Sequence, residues 1–297
     1  MAEPHLYFIV NPNAGGGKGK QYGETLENEL KSRGISADIN YTTGVGDAIK
    51  LAGYLPAGTT HIIAVGGDGT VNEVINGIQD SSVVFGLIPC GTGNDFMKMI
   101  GMSPSVHDAL DQILKFDERP VDVGYVKTNN TQRFFINNIG IGFDAVVAEK
   151  ANKLKYLGIL SYIYSVVTTL VTYKEPKIVL RTNEEDFHID LFLMTFGNGT
   201  NAGGIFKLTP HAKVDDGIFH ATVISGVKKM RVFDIFPKVI KGTHLGEPEI
   251  SSFTTDAGTI SSLVDLTIHA DGEIIDTHAM EIDVSILAGK QKVLFGM

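Results

Sequence analysis

The 297-residue chain contains one cysteine, Cys90, so no internal disulfide framework is available to it. It lacks a basic excess. Lysine and arginine number 25 against 34 acidic residues, the formal net charge is −9 and the pI is near 5.4. Phosphate backbones are held by clustered Lys and Arg, so nucleic acid is not an expected partner. The start, "MAEPHLYFIVNPN", lacks the basic-then-apolar layout of a signal peptide. A reducing, cytoplasmic location is expected, and the triplets at Asn129 and Asn198 then carry no glycosylation meaning. An uninterrupted apolar run is also missing. Residues 154 to 173, "LKYLGILSYIYSVVTTLVTY", reach spanning length but are broken by Gly158, Ser161, Ser165, Thr168 and Thr169. A span wants about 20 predominantly apolar residues, so a buried or groove-lining helix is expected and no transmembrane segment. Its tyrosines and the flanking Lys150, Lys153 and Lys155 leave peripheral contact with a membrane surface open.

What is present is ordinary globular composition, 43% hydrophobic and 20% charged, at a length that suggests two domains. From residue 5 to about 124, short apolar runs alternate with helical patterns: "LYFIV" before Tyr22, Leu26 and Leu30, "HIIAV" before Val71, Val74, Ile75 and Ile78, and "VVFGLIP" before Val106, Leu110, Ile113 and Leu114. This pattern predicts a doubly wound, mostly parallel α/β domain over 1–124. After "RPVDVGYV" the segments turn short and β-rich, among them "KIVLRT", "HIDLFLMTF", "IFHATVIS", "LVDLTIHA", "EIDVSI" and "KVLFG", with one helical stretch around 228 to 241. A β-sandwich-like domain over 125–297 is expected. No repeat, low-complexity tract or long linker separates the two, and an active site in the interdomain cleft is expected.

Three glycine-rich stretches follow apolar runs: "NPNAGGGKGK", "GGDGT" and "CGTGNDF". Ligands of open parallel sheets bind at that edge. Glycine serves any tight turn, but three such loops at corresponding positions point to a polyanion lying on backbone N–H groups and helix N-termini. The first loop is not a P-loop, because Lys18 precedes Gly19 and Lys20 precedes Gln21 where Ser or Thr would be needed. A dinucleotide fingerprint is not matched either. A carboxylate beside phosphates needs a divalent cation between them, and Mg²⁺ takes one or two carboxylates plus phosphate oxygens; Asp68 and Asp95 are placed for this. In the alternative, Asp68 caps its own helix, or Thr70 and Glu73 form a capping box. Asn72 and Asn94 can be turn or cap residues, Lys18 can be solvated, and Cys90 reads as a small buried hydrophobe.

"GGDGTVNEVINGI" with "IPCGTGNDF" resembles the diacylglycerol kinase catalytic domain family, and the likeness to its bacterial lipid kinases continues through "NPNAGGGKG", "FINNIGIGFDA" at 135 to 145, "GNGTNAGGIFKLTPHAKVDDG" at 197 to 217 and "HADGEIID" at 269 to 276. The resemblance implies ATP as donor, Mg²⁺ as cofactor, and a lipid hydroxyl, most often that of diacylglycerol, as acceptor. By position it implies that Asn11, Pro12, Asn13, Ala14, Gly15, Thr42, Gly66, Gly67, Asp68, Gly69, Thr70, Val71, Asn72 and Thr92 bind nucleotide. Asp68 and Asp95 would act around the catalytic metal. A second, structural Mg²⁺ would be held by Asp216, with Lys213 and Ile218 through their carbonyls and Asp215 as a neighbour; on the residues alone "AKVDDGI" reads as a hairpin turn.

In-line attack by a hydroxyl benefits from a carboxylate that accepts its proton. The resemblance makes Glu273 that acceptor and Asp271 its neighbour. The two could share one side of an extended segment, although Gly272 makes a turn equally compatible. Phe143, Phe206, Leu208 and the 154–173 helix are candidates for an apolar lipid channel, or for plain core. An NAD kinase-like enzyme and a nucleotide-gated lipid-binding protein without turnover remain as alternatives, and a homodimer stays open.

Overall fold

The computed structural model describes residues 4–78, 82–154, 159–183 and 185–296, and the main chain alone for 159–163. Lys155, Tyr156 and Gly158 of the expected 154–173 helix therefore lie outside the described residues. The chain forms two compact units, Met1–Val123 with Ala288–Met297, and Gly124–Leu287.

The first unit runs β1 (Leu6–Val10), α1 (Ala14–Ser32), β2 (Ala37–Tyr41), α2 (Asp47–Gly53), β3 (His61–Gly66), α3 (Asp68–Gly77), β4 (Val84–Pro89), α4 (Asp95–Ile100) and α5 (Val106–Ile113), then enters β5 (Glu118–Thr128). Its strands lie in the order β2-β1-β3-β4 and are parallel, with Leu6 opposite Ala37 and His61, and His61 opposite Val84. Every residue of β1, β3 and β4 is buried, while no residue of the edge strand β2 is. Parallel strands covered on both faces read as continuous apolar runs for this reason. Helix α1 packs on α5 and α2 on α3.

The second unit continues with β6 (Gln132–Phe135), β7 (Asn138–Gly142), α6 (Phe143–Lys153), α7 (Ile159–Thr172), β8 (Lys177–Arg181), β9 (Asp186–Gly197), β10 (Phe219–Ser225), α8 (Val232–Lys241), β11 (Ile250–Thr255), β12 (Ala257–Ala270) and β13 (Glu273–Leu294). Its strands follow the order β11-β10-β9-β7-β12-β13, antiparallel throughout, with β8 pairing to β9 and β12. Phe135, Phe196, Phe219, Ile260 and Ile282 belong to its buried core, and a smaller apolar cluster lies under α6, α7 and α8. Helix α6 over "FDAVVAEKANK" was not part of the sequence expectation.

The end of β13 leaves this sheet. Val293 pairs in parallel with Phe85 of β4, Gln291 Nε2 donates to the Val83 carbonyl at 2.7 Å, and Gly289 N–H donates to Asp122 Oδ1 at 2.7 Å. Residues 288–297 thus belong to the first unit, although the sequence texture places all of 125–297 together. "KVLFG" is apolar enough for any core, and nothing local announces a partner 208 residues upstream of Gln291. Among the described residues no helix is long and apolar enough to cross a membrane.

Candidate active site

Strands β1, β3 and β4 are neighbours, so their three glycine-rich turns come to one edge of the first unit's sheet. Contacts explain the missing side chains. A Cβ on Gly67 would stand 3.0 Å from Gly91 Cα, and one on Gly91 would stand 2.6 Å from Gly67 Cα. The second and third loops therefore meet main chain to main chain. A Cβ on Gly15 would lie 2.3 Å from the Cys90 carbonyl oxygen, which sets the first loop against the third. Gly15, Gly16 and Gly17 have φ of 58, 72 and 96°, a left-handed run that L side chains avoid. A Cβ on Gly16 or Gly17 would meet nothing within 4 Å, so at those two positions conformation alone calls for glycine.

Side chains then lock the loops. Asn11 Nδ2 donates to Thr70 Oγ1 at 3.0 Å, and Asn11 Oδ1 accepts from Asn13 N–H at 3.0 Å. Asn94, left-handed at φ 47°, accepts from Gly91 N–H at 2.8 Å and donates to the Gly91 carbonyl at 3.0 Å. Thr42, just past β2, is buried and its N–H donates to the Val10 carbonyl at 2.9 Å. Asn11–Gly15, Thr42, Gly66–Asn72 and Thr92 accordingly sit just beyond, or at the end of, four adjacent strands. Ala14, Thr70, Val71 and Asn72 are buried within this group. Burial pushes the Cys90 thiol up, as suits an inert core residue.

Asp68 opens α3, and its Oδ1 accepts from Asp95 N–H, the first residue of α4, at 2.8 Å. It ties the second loop to the third; the N-cap of α3 is Gly67, with no side-chain cap bond. Glu73 behaves similarly: its oxygens accept from Gly46 N–H at 2.9 Å and Ala48 N–H at 3.1 Å, so it serves α2 rather than closing a box with Thr70. Asp95 is buried with Lys98 Nζ 3.2 Å from its Oδ1. The fit for Mg²⁺ follows from these contacts. Two carboxylates, with Asp68 tied to the main-chain N–H of Asp95 and both beside main-chain loops of this kind, are hard-oxygen donors that Mg²⁺ takes together with phosphate oxygens. Lys98 would share Asp95 with that ion.

In the second unit Asp271 and Gly272 make the two-residue turn between β12 and β13, at φ 50° and 83°, with Ala270 paired to Glu273. Such a hairpin turn needs positive φ at both positions. Of the two arrangements open to this segment the turn is the one formed, so Asp271 and Glu273 do not share one extended face. Asp271 Oδ1 accepts from Asn137 N–H at 2.8 Å and Asn138 N–H at 3.1 Å, and its Oδ2 from Ile136 N–H at 2.9 Å. Its own N–H donates to the Asn138 carbonyl at 2.8 Å. A carboxylate that accepts from three amides is a clasp for the 136–138 segment.

Glu273 differs. Its Oε2 receives Arg133 Nη2 at 2.7 Å and its side chain stays 37% exposed. Behind the turn, buried His269 has Nε2 3.0 Å from Asp144 Oδ2, and its Nδ1 accepts from Gly272 N–H at 3.3 Å. A proton on Nε2 satisfies both contacts. Gly140 makes the room, since a Cβ there would fall 2.2 Å from His269 Nε2 and 2.3 Å from Asp144 Oδ2. Arg133, Asp144 and His269 went unassigned at the sequence level. "HADGE" and "GFDA" contain two of them, but no local pattern joins segments 125 residues apart.

Lys213, Asp216 and Ile218 occupy the turn before β10. Asp216 Oδ1 accepts from Ile218 N–H at 3.4 Å, and Oδ2 lies 3.6 Å from His220 Nε2. One carboxylate and nearby carbonyls suit a hard cation by donor type. Among the described residues no three His, Cys, Asp or Glu side chains converge, so an ion here would depend on carbonyls and water. Of the residues open to a lipid channel or to plain core, Phe143 stacks on Phe192 at 4.5 Å and Leu208 is buried in the same cluster, while Phe206, partly buried, meets Phe236 edge-on at 5.3 Å.

Comparison with known proteins finds two family models along the chain. Residues 5–126 match the model of the diacylglycerol kinase catalytic domain, and residues 137–293 that of the YegS C-terminal NAD kinase beta sandwich-like domain. The chain is 31% identical over 271 residues to a diacylglycerol kinase of Staphylococcus saprophyticus, covering 90% of this chain and 88% of the relative. It is 27% identical to a diacylglycerol kinase of Mycobacterium tuberculosis, covering 89% and 87%. Two solved Bacillus anthracis chains have TM-scores of 0.78 and 0.73 at 26% and 23% identity, over 99% of this chain and 97% of each; the second shows a shared fold alone.

Proposed function

Because the chain belongs to the diacylglycerol kinase family, we propose that it transfers the γ-phosphate of ATP to a lipid hydroxyl, that of diacylglycerol before others, giving phosphatidic acid. The observation that carries this reading is the contact of Gly67 with Gly91, bridged beside it by Asp68 on the Asp95 amide. It joins two strand-end turns main chain to main chain with a carboxylate between them, and Gly15 against Cys90 adds the third. In the mechanism, loop amides from Asn11–Gly15, Gly66–Asn72 and Thr92 orient the triphosphate. Asp68 and Asp95 would hold Mg²⁺, which supplies charge neutralisation at the phosphate when bound. Glu273, oriented by Arg133, takes the proton of the acceptor hydroxyl as its oxygen bonds to the γ-phosphorus and the bond to the ADP oxygen breaks. Asp271 holds the turn that presents Glu273.

The test is purified protein with Mg²⁺, γ-labelled ATP and a panel of micellar lipids. Label is expected in phosphatidic acid, reduced roughly 100- to 1,000-fold in Asp68→Ala, the scale of one lost electrostatic group. Label in NAD instead would favour the NAD kinase-like reading, to which the match of the second unit lends its one supporting observation. Bound ATP that stays intact with every lipid would favour a gated binding protein.

A further inference from the structure

Glu273 is held from two directions. Arg133 holds the tip of its carboxylate, with Nη2 on Oε2 at 2.7 Å, while the turn of Asp271 and Gly272 holds the main chain just before it. A two-residue hairpin closes its ladder at the flanking pair, here Ala270 and Glu273, so the N–H groups of Asp271 and Gly272 have to find acceptors elsewhere. Asp271 N–H goes to the Asn138 carbonyl at 2.8 Å, and Gly272 N–H goes to His269 Nδ1 at 3.3 Å. Packing does not locate Gly272. It is exposed, and a Cβ on it would meet nothing within 4 Å. The His269 ring is thus the contact that holds this peptide on the Glu273 side of the turn, and a swing there carries the Glu273 main chain with it.

The ring itself is built in. His269 of β12 pairs with Gly140 of β7, is buried, and takes the space that a Cβ on Gly140 would fill. Its Nε2 meets Oδ2 of Asp144, in the first turn of α6, at 3.0 Å, while Asp144 Oδ1 accepts from Ala145 N–H at 2.9 Å. Both oxygens of Asp144 therefore have a donor. With the proton on Nε2, Nδ1 keeps the lone pair that Gly272 N–H needs; with the proton on Nδ1, two donors would face each other. We propose that His269 is a positioning residue for phosphoryl transfer, its tautomer set by Asp144 and its Nδ1 aiming Glu273 through the Gly272 amide. The proposal rests on the lipid kinase reading, with Glu273 as proton acceptor. A histidine that only filled space between β7 and α6 would stabilise the fold without favouring one ring nitrogen.

Amide variants separate the two nitrogens. Asn puts an acceptor near the place of Nδ1, and Gln puts a donor near the place of Nε2. Rates are read with γ-labelled ATP and micellar diacylglycerol, well below the melting temperature of each variant. His269→Gln should lower kcat roughly ten- to a hundredfold, the scale of a small misplacement of a reacting group, with KM for ATP unchanged. His269→Asn should recover most of that loss. Asp144→Ala should also lower kcat, and Asp144→Asn, whose Oδ1 still accepts from Nε2, should restore it; this pair decides the matter if the His269 variants do not fold. In a Glu273→Gln background, His269→Gln should cost nothing further, because nothing is left to aim. Equal losses in the Gln and Asn variants, or a loss that multiplies with that of Glu273→Gln, would give His269 to the fold alone and overturn the proposal. An active parent indifferent to His269→Gln also overturns it and leaves the lipid kinase reading intact. A parent that phosphorylates no lipid overturns that reading and the positioning role with it.

Discussion

In the first unit the loops touch where atoms are missing, Gly67 against Gly91 and Gly15 against Cys90, and the site is made of main chain. In the second unit the hairpin is held where side chains are present: Asp271 on three amides, His269 on Asp144, Arg133 on Glu273. The contrast has a mutational consequence. Adding a methyl group should break the first construction, whereas removing a carboxylate should break the second. It also follows the chemistry proposed for each, since phosphate oxygens want closely approaching N–H groups and a proton acceptor wants one aimed side chain.

The largest effect is expected where the second unit's carboxylates separate into chemistry and scaffold. Glu273→Gln should lower turnover roughly 100- to 10,000-fold, the range of a lost general base. Melting should barely move, because its partly exposed pair with Arg133 is worth about 1 kcal/mol or less. Steady-state rates beside a thermal melt check this; a normal rate removes Glu273 from the mechanism. Asp271→Ala should do the reverse. Three N–H groups lose an acceptor and an alanine inherits φ 50°, a loss of about 3 kcal/mol or more. Activity should then fall in step with the folded fraction, and a stable but inactive variant would give Asp271 a catalytic role.

Gly91→Ala probes the other construction. Its Cβ would lie 2.6 Å from Gly67 Cα and 2.6 Å from Asn94 Oδ1, so loop must part from loop. Overpacking of this kind costs about 1–3 kcal/mol. ATP affinity by calorimetry should fall with the melting temperature; affinity unchanged at lowered stability would show that the two loops need not touch to bind.

The same contrast decides what the sequence discloses. β1, β3 and β4 are legible because burial on both faces leaves an apolar run, and the turns after them because glycine has few substitutes at a left-handed or close-contact position. Gly15, Gly67 and Gly91 advertise themselves one by one. The reason for each, contact with another loop, needs the sheet that makes those loops neighbours. Asp271, by contrast, looks the same in sequence whether it turns a hairpin, clasps Ile136–Asn138 or faces a substrate. The return of Val293 to Phe85 is hidden for a related reason: strand pairing leaves no mark on either strand beyond hydrophobicity. Glu73 shows how a local pattern can mislead, since T-x-x-E fits a capping box while the side chain reaches Gly46 and Ala48 on the next helix.

Each unit also buries a histidine, and here the smallest effects are expected. His244 in the second unit is fully buried, with Nε2 3.2 Å from the Leu208 carbonyl; burial pushes its pKa below 6.5, and the carbonyl pulls it partly back. His61 in the first is shifted down from 6.5 by burial too, with Glu118 at 3.4 Å opposing. A ring that resists protonation in the folded chain gains a proton more readily in the unfolded one. Stability contributed by keeping it neutral is therefore present above about pH 6.5 and lost as the pH falls below that value. Each histidine can add a slope of at most about 1.4 kcal/mol per pH unit. Melting curves at pH 5.5 and 7.5 should converge in part for His244→Gln. They should converge less for His61→Gln, whose carboxylate neighbour already offsets some of the penalty. Equal flattening by both would mean that Glu118 does not compensate His61, and no flattening by either would place the acid sensitivity elsewhere.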